Sequence, residues 1–307
     1  MITQMISIIR HRAFSTSIRR SAVGGIPIHD SKGRGTGPTI PRTMRGLPQR
    51  VKLRGVDKVI AVSSAKGGVG KSTVAVNLAL ALAMKQKRVG ILDTDIFGPS
   101  IPKLLNLTGG EPNVTESNRL IPLQNYGIKA MSMGFLIPDD DSPIVWRGLM
   151  VMKALQQLLH EVEWDGLDYL ILDMPPGTGD VQLTITQQLV VDGAVIVSTP
   201  QDIALIDAVK GVNMFKKVNV PIYGMVQNMS VFVCPNCDHE YHIFGQDGVP
   251  KQAQRLDVEM LGSVPLHPHI CELSDKGTPV VIVDPESKNA KSYIDIADKI
   301  RAKSQSS

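Results

Sequence analysis

Aromatic side chains make up only 4% of this 307-residue sequence, and it holds three cysteines. Any sizeable core must therefore be built from Val, Ile, Leu, Ala and Met, within a hydrophobic share of 43%. That is the composition of a parallel sheet covered by helices on both faces. Long apolar runs are missing too. The longest, Val74 to Met84, is interrupted by Asn77 and falls short of the roughly 18 residues that span a bilayer. No transmembrane segment is expected, and the chain reads as soluble.

Acidic residues are absent from the first 29 positions, which carry Arg10, Arg12, Arg19, Arg20 and many hydroxyls. Ile6, Ile8, Ile9, Phe14 and Ile18 are interspersed, so a basic amphipathic helix can form. This is the composition of a mitochondrial transit peptide, and it has no continuous apolar centre of a secretory signal. We assign residues 1–30 to the transit peptide and 31–55, rich in Gly, Pro and Arg, to a flexible basic linker. The net charge of +4 belongs to this region: residues 1–57 hold eleven Lys/Arg against two Asp, leaving twenty-two against twenty-seven acids beyond. A mildly acidic domain gives no electrostatic footprint for nucleic acid.

From residue 56 to 303 strand and helix patterns alternate. Strands are expected at 59–64, 88–93, 167–173, 194–199, 223–227 and 260–264. Helices are expected at 72–85, 146–161, 181–190, 203–218, 248–256 and 288–302. Strands separated by helices imply a doubly wound, mostly parallel α/β sheet with ligands at the strand carboxyl ends. There is no internal repeat.

The first loop reads Ser63-Ser64-Ala65-Lys66-Gly67-Gly68-Val69-Gly70-Lys71-Ser72-Thr73, between a strand and a helix. Its glycines let backbone N–H groups turn inward around phosphate oxygens, and the helix N-terminus adds its partial positive charge. Lys71 is expected on the β/γ-phosphates and the Ser72 hydroxyl on Mg²⁺. Ala65 stands where the general phosphate-loop pattern has Gly, a harmless change if φ there is negative.

Near the end of the domain lies Cys234-Pro235-Asn236-Cys237. A disulfide is disfavoured in a reducing matrix, and a thioredoxin-like pair would start a helix after an early strand. A zinc knuckle using His239 and His242 would be crowded. Two thiolates are half a site, and a C₂ dimer brings the same patch of two subunits together. Four thiolates then suit either a [4Fe–4S] cluster or one zinc. Cys271 reads as a lone thiol.

The second lysine, Lys66, makes the loop resemble the deviant P-loop ATPases of the MinD, ParA and nitrogenase iron-protein class. The resemblance implies that Lys66 reaches across a dimer to the partner's nucleotide. It also implies that Asp95, in Leu92-Asp93-Thr94-Asp95, activates the attacking water, and that Asp173 holds the magnesium shell. Pro175 to Gly179 would be a γ-phosphate switch, and Asn228 would contact adenine. Asp180 fits either that switch or a helix N-cap, and we take the cap. ATP over GTP follows from the class, since no guanine-reading N-K-x-D motif is present.

The CPNC pair, together with Asp95–Ser100, Met131–Phe135, Val145–Gly148, Asp173–Asp180 and Gln227–Ser230, narrows the resemblance. It is similar to the Mrp/Nbp group of iron–sulfur scaffold ATPases over about residues 56–300, in its mitochondrial, complex I assembly branch. What this implies is a homodimeric carrier with weak ATPase activity. A labile [4Fe–4S] cluster would be held between paired Cys234 and Cys237 for delivery to apoproteins, complex I subunits among them. Two rivals stand beside it: a zinc-stapled regulatory ATPase, and a MinD/ParA-like positioning ATPase, for which the tail has little bulky apolar surface. The leader is tested by fusing residues 1–35 to a fluorescent protein. Mitochondrial signal is expected; diffuse cytosolic signal would remove the address.

Overall fold

Strands buried on both faces dominate the interior. The computed structural model describes residues 50–96, 98–136, 148–234, 236–237 and 239–306; the expected transit peptide, most of the linker, Phe97, Val145–Arg147 and Pro235 lie outside them. In chain order the elements are β1 (Val56–Ser63), α1 (Lys71–Met84), β2 (Val89–Asp93), α2 (Ile101–Leu104), β3 (Leu123–Asn125) and β4 (Ile128–Ser132). They continue as α3 (Gly148–His160), β5 (Leu167–Asp173), α4 (Asp180–Gln188), β6 (Gly193–Ser198), α5 (Asp202–Lys217), β7 (Ile222–Gln227), β8 (Phe232–Val233) and β9 (Glu240–Tyr241). The last are α6 (Gly248–Leu256), β10 (Met260–Ser263), α7 (Pro268–Asp275), α8 (Val280–Val283) and α9 (Lys288–Ser306).

Eight strands form one sheet in the order β10-β7-β6-β1-β5-β2-β4-β3. All neighbours run parallel except the edge strand β3, which is antiparallel to β4. Every residue of β2 and β6 is buried, which is why these stretches read as unbroken apolar runs and not as alternation. From β1 the chain steps to β2 on one side and later, through β5, to β6 on the other. That reversal opens a crevice at the carboxyl ends of β1 and its neighbours.

Helix α1 packs between the sheet and α9, so it needs no polar face. Asn77, the one interruption in its apolar run, is satisfied there. Its Nδ2 donates to the Thr73 carbonyl at 2.9 Å, and its Oδ1 accepts from the Val281 amide at 3.3 Å.

All six expected strands form, with shifts of a few residues at their ends. The β3–β4 hairpin was not foreseen. It turns on Tyr126 and Gly127 at φ 50° and 79°, a left-handed pair without the Asn-Gly or Asp-Gly sequence that announces one. Helix α9 runs to Ser306, beyond the expected 302. Asp180 is not the cap assigned to it: Gly179 occupies the N-cap of α4, and Asp180 is the first helical residue. An acid there still favours the helix through the dipole.

Candidate functional site

At the crevice, β1 ends in the glycine-rich loop. Gly68 and Gly70 take φ 81° and 79°, conformations costly for any residue with a Cβ. Ala65 is absent from the positive-φ residues, so the missing glycine carries no strain. Gly70 is the N-cap of α1 and supplies no side-chain bond to it. The first amides of the helix thus have no side-chain cap, the arrangement of an anion-binding helix start.

Two strands bring acids to this point. Asp93 ends β2 and Asp173 ends β5, and the two are register partners. Lys71 is buried and its Nζ is ion-paired and hydrogen-bonded to Asp173 Oδ1; Nζ also lies 3.1 Å from Ser72 Oγ. Burial pushes the Asp173 carboxyl above the usual carboxylate range, while the Lys71 ammonium pulls it back. The other oxygen, Asp173 Oδ2, is buried with no hydrogen-bond partner. An orphaned carboxylate oxygen beside a serine hydroxyl is the donor set a hard divalent cation takes.

Asp93 is the residue the sequence reading named in a motif without a role. Its Oδ1 accepts from the Asp95 amide at 3.0 Å. Its Oδ2 accepts from the amides of Ser100 and Ile101 at 3.1 and 3.3 Å and from Ser132 Oγ at 3.1 Å. It therefore shapes the turn that carries half-buried Asp95 and ties it to β4. Burial first, and the Asp173 charge second, push its carboxyl up to about 7. The Asp95 carboxylate also acts on Asp173, raising it.

The expected switch closes onto the same loop. The Gly177 amide donates to the Ser64 carbonyl at 3.1 Å. Gln182, another residue the sequence reading missed, is 1% exposed. Its Nε2 bonds the Pro175 carbonyl, and its Oε1 accepts from Ser63 Oγ at 3.4 Å. A glutamine in the first turns of an ordinary helix carries no sequence signal of that role. Lys66 is half-exposed, its carbonyl held by Ser64 Oγ at 2.9 Å, and no ion pair to its ammonium occurs among the described residues.

Asn228 follows β7. Its side-chain Nδ2 donates to the Val69 carbonyl at 2.8 Å, within the phosphate loop, so in this structure its amide serves the loop backbone. The cysteine pair is separate. Cys234 and Cys237 lie in the turn of the β8–β9 hairpin, closed by the Cys234 amide donating to the His239 carbonyl at 3.0 Å. Cys237 is exposed and Cys234 half-buried. Among the described residues no group of three His, Cys, Asp or Glu is arranged to hold a metal. Cys271 is an exposed thiol on α7, 4.0 Å from Asp275 Oδ2.

Glycine loop, buried lysine and strand-end carboxylates on a parallel sheet define a P-loop NTPase. Comparison with known proteins makes this specific: residues 55–301 match the ParA-type family described as NUBPL iron-transfer P-loop NTPase, and the chain belongs to that family. It is 59% identical over 265 residues to the mouse iron–sulfur cluster transfer protein NUBPL, covering 86% of this chain and 82% of that one. It is 50% identical over 256 residues to an Arabidopsis thaliana iron–sulfur protein required for mitochondrial NADH dehydrogenase, covering 83% and 81%. Among solved structures, a nucleotide-binding protein from Archaeoglobus fulgidus in complex with ADP superposes at TM-score 0.66 with 37% identity, over 78% of this chain and 93% of that one. The cell-division ATPase MinD of Pyrococcus furiosus, at TM-score 0.59 and 23% identity over 80% of this chain and 98% of that one, shares the fold.

The Asp93 carboxyl makes a pH prediction for the nucleotide-free protein. It ionises near 3.8 in an unfolded chain and near 7 here, so the folded state binds the extra proton between those values. Its contribution to stability is complete below 3.8 and is lost as pH rises through about 7. Urea unfolding should show lower stability at pH 8 than at pH 5.5. Asp93→Asn should narrow that difference; an unchanged difference would assign it to other groups.

Proposed function

We propose that this chain is an ATP-dependent carrier of iron–sulfur clusters that works as a homodimer in the mitochondrial matrix. The observation that carries the reading is a cysteine pair offered in the turn of a surface hairpin, with no third ligand beside it among the described residues. Two thiolates cannot complete a cubane, whereas two copies about a two-fold axis supply four. The cargo is a [4Fe–4S] cluster, released by exchange of the four thiolates of Cys234 and Cys237 for those of an acceptor. Cluster charge and iron oxidation state are unchanged by that exchange. The name of the mouse relative supports cluster transfer, and the leader composition with the name of the Arabidopsis relative supports the mitochondrion and acceptors among complex I subunits.

The nucleotide half follows from the loop. Amides of Gly67, Gly68, Val69 and Gly70, with the start of α1 through Thr73, cradle the phosphates of ATP, and Lys71 moves from Asp173 toward them. Ser72 and Asp173 Oδ2 would hold Mg²⁺, which when bound draws off phosphate charge. Asp95 orients the attacking water. Lys66 supplies a cation to the partner's nucleotide, stabilising charge that develops on the phosphate. Asn228 would contact the base from its place against the Val69 carbonyl.

Cluster delivery from the reconstituted protein to an apo four-cysteine acceptor tests both halves. Cys234→Ala with Cys237→Ala should abolish delivery while nucleotide still binds. Lys66→Ala should load cluster yet lose ATP turnover by about a hundredfold or more. Delivery retained by the double cysteine variant would overturn the carrier reading. Stoichiometric zinc in place of iron would make the CPNC pair a staple in a regulatory ATPase.

A further inference from the structure

A short stretch of chain joins the two sites. Asn228 lies at the phosphate loop and Cys234 six residues on, a span of roughly 20 Å at full extension. Asn228 is 6% exposed, and both its ends are fixed. Its amide donates to the Ser198 carbonyl at 2.9 Å, and its side chain to the Val69 carbonyl at 2.8 Å. The fit against the loop has no slack: a Cβ on Gly70 would stand 2.2 Å from Asn228 Nδ2 and 3.6 Å from Met229 Cε. Met229 itself takes φ 54°, a left-handed conformation that an apolar side chain adopts only when its surroundings impose it.

Beyond Met229 the segment is pinned again. The Ser230 amide and hydroxyl both donate to the Val264 carbonyl, each at 3.0 Å. The Leu266 amide donates to the Val231 carbonyl at 2.9 Å, and Phe232 bridges to Leu266. The hairpin that follows has strands of only two residues and could not hold its own orientation in water. Its direction is inherited from residues 230–232.

We propose that residues 228–232 are a rigid tie between the nucleotide and cluster sites, with Asn228 the positioning residue that reads the Val69–Gly70 backbone and passes its movement to Cys234. This rests on the carrier reading. When phosphates draw the loop amides inward, the Asn228 amide follows the Val69 carbonyl, because parting would leave a buried acceptor unpaired. The left-handed Met229 has no soft neighbouring conformation in which to absorb the shift. The change therefore reaches the hairpin root as a reorientation of the cysteines. A cluster bridged by two subunits would respond to any change in the angle between its two thiolate pairs.

Linkage makes this measurable without any turnover: if nucleotide alters cluster binding, cluster must alter nucleotide affinity by the same factor. ADP affinity is measured by calorimetry on the full-length protein, with and without reconstituted cluster. Wild type should show a ratio of about fivefold or more. Met229→Gly keeps Asn228 and its bond to the Val69 carbonyl and frees the joint; it should load cluster and bind ADP, with a ratio near one. Asn228→Ala, titrated to saturation, should show the same collapse. A wild-type ratio retained in Met229→Gly would overturn the tie while leaving the carrier reading in place. A ratio of one in wild type would overturn both the tie and ATP gating of the carrier, whereas failure of cluster delivery alone bears on the carrier.

Discussion

The buried pair of Lys71 and Asp173 is the constraint around which the crevice is organised. A carboxylate that is 0% exposed needs a charged partner, and the lysine reaches it only if α1 leaves the loop at the observed angle. Asp93, one strand away and 1% exposed, adds a second acid. Burial first, and then the Asp173 charge that one ammonium must also offset, raise the Asp93 carboxyl. A site with surplus negative charge, an unpartnered carboxylate oxygen and a loop of inward amides is poised for a cation and phosphates arriving together. In their absence Lys71 holds the acids.

The parallel sheet makes that arrangement inexpensive to build. Strands β1, β2 and β5 end side by side, so loop and acids converge without long excursions of chain. The same edge carries β7 and β10, whose carboxyl ends root the cysteine hairpin through Ser230, Val231 and Leu266. Nucleotide chemistry and cluster chemistry thus share one side of one sheet. Asn228 is where the two roots meet, the contact on which the proposed coupling of the nucleotide and cluster sites rests.

Much of this was legible because parallel strands buried on both faces announce themselves as apolar runs, and glycine loops announce phosphate. The strands β1, β2, β5, β6, β7 and β10 were found for that reason. The hairpin β3–β4 escaped because its strands have three and five residues and its turn uses Tyr126. The short helices α2, α7 and α8 offer too few turns to show a period. Asp93 gathers donors 2, 7, 8 and 39 residues away, and Asn228 meets a carbonyl 159 residues back. The contact two residues on is a local turn, but the Ser132 hydroxyl and the Val69 carbonyl are brought in by tertiary packing, and no local pattern encodes them. The same holds for Asp180, where a glycine took the cap because the switch backbone arrives extended at Gly179, with φ −85° and ψ −173°.

Native mass spectrometry of the anaerobically reconstituted protein with a non-hydrolysable ATP analogue tests the central claim most directly. The account predicts a dimer carrying one four-iron, four-sulfide cluster and two nucleotides, with no cluster on the monomer. A monomer holding its own cluster, or a dimer with zinc in that place, would contradict it.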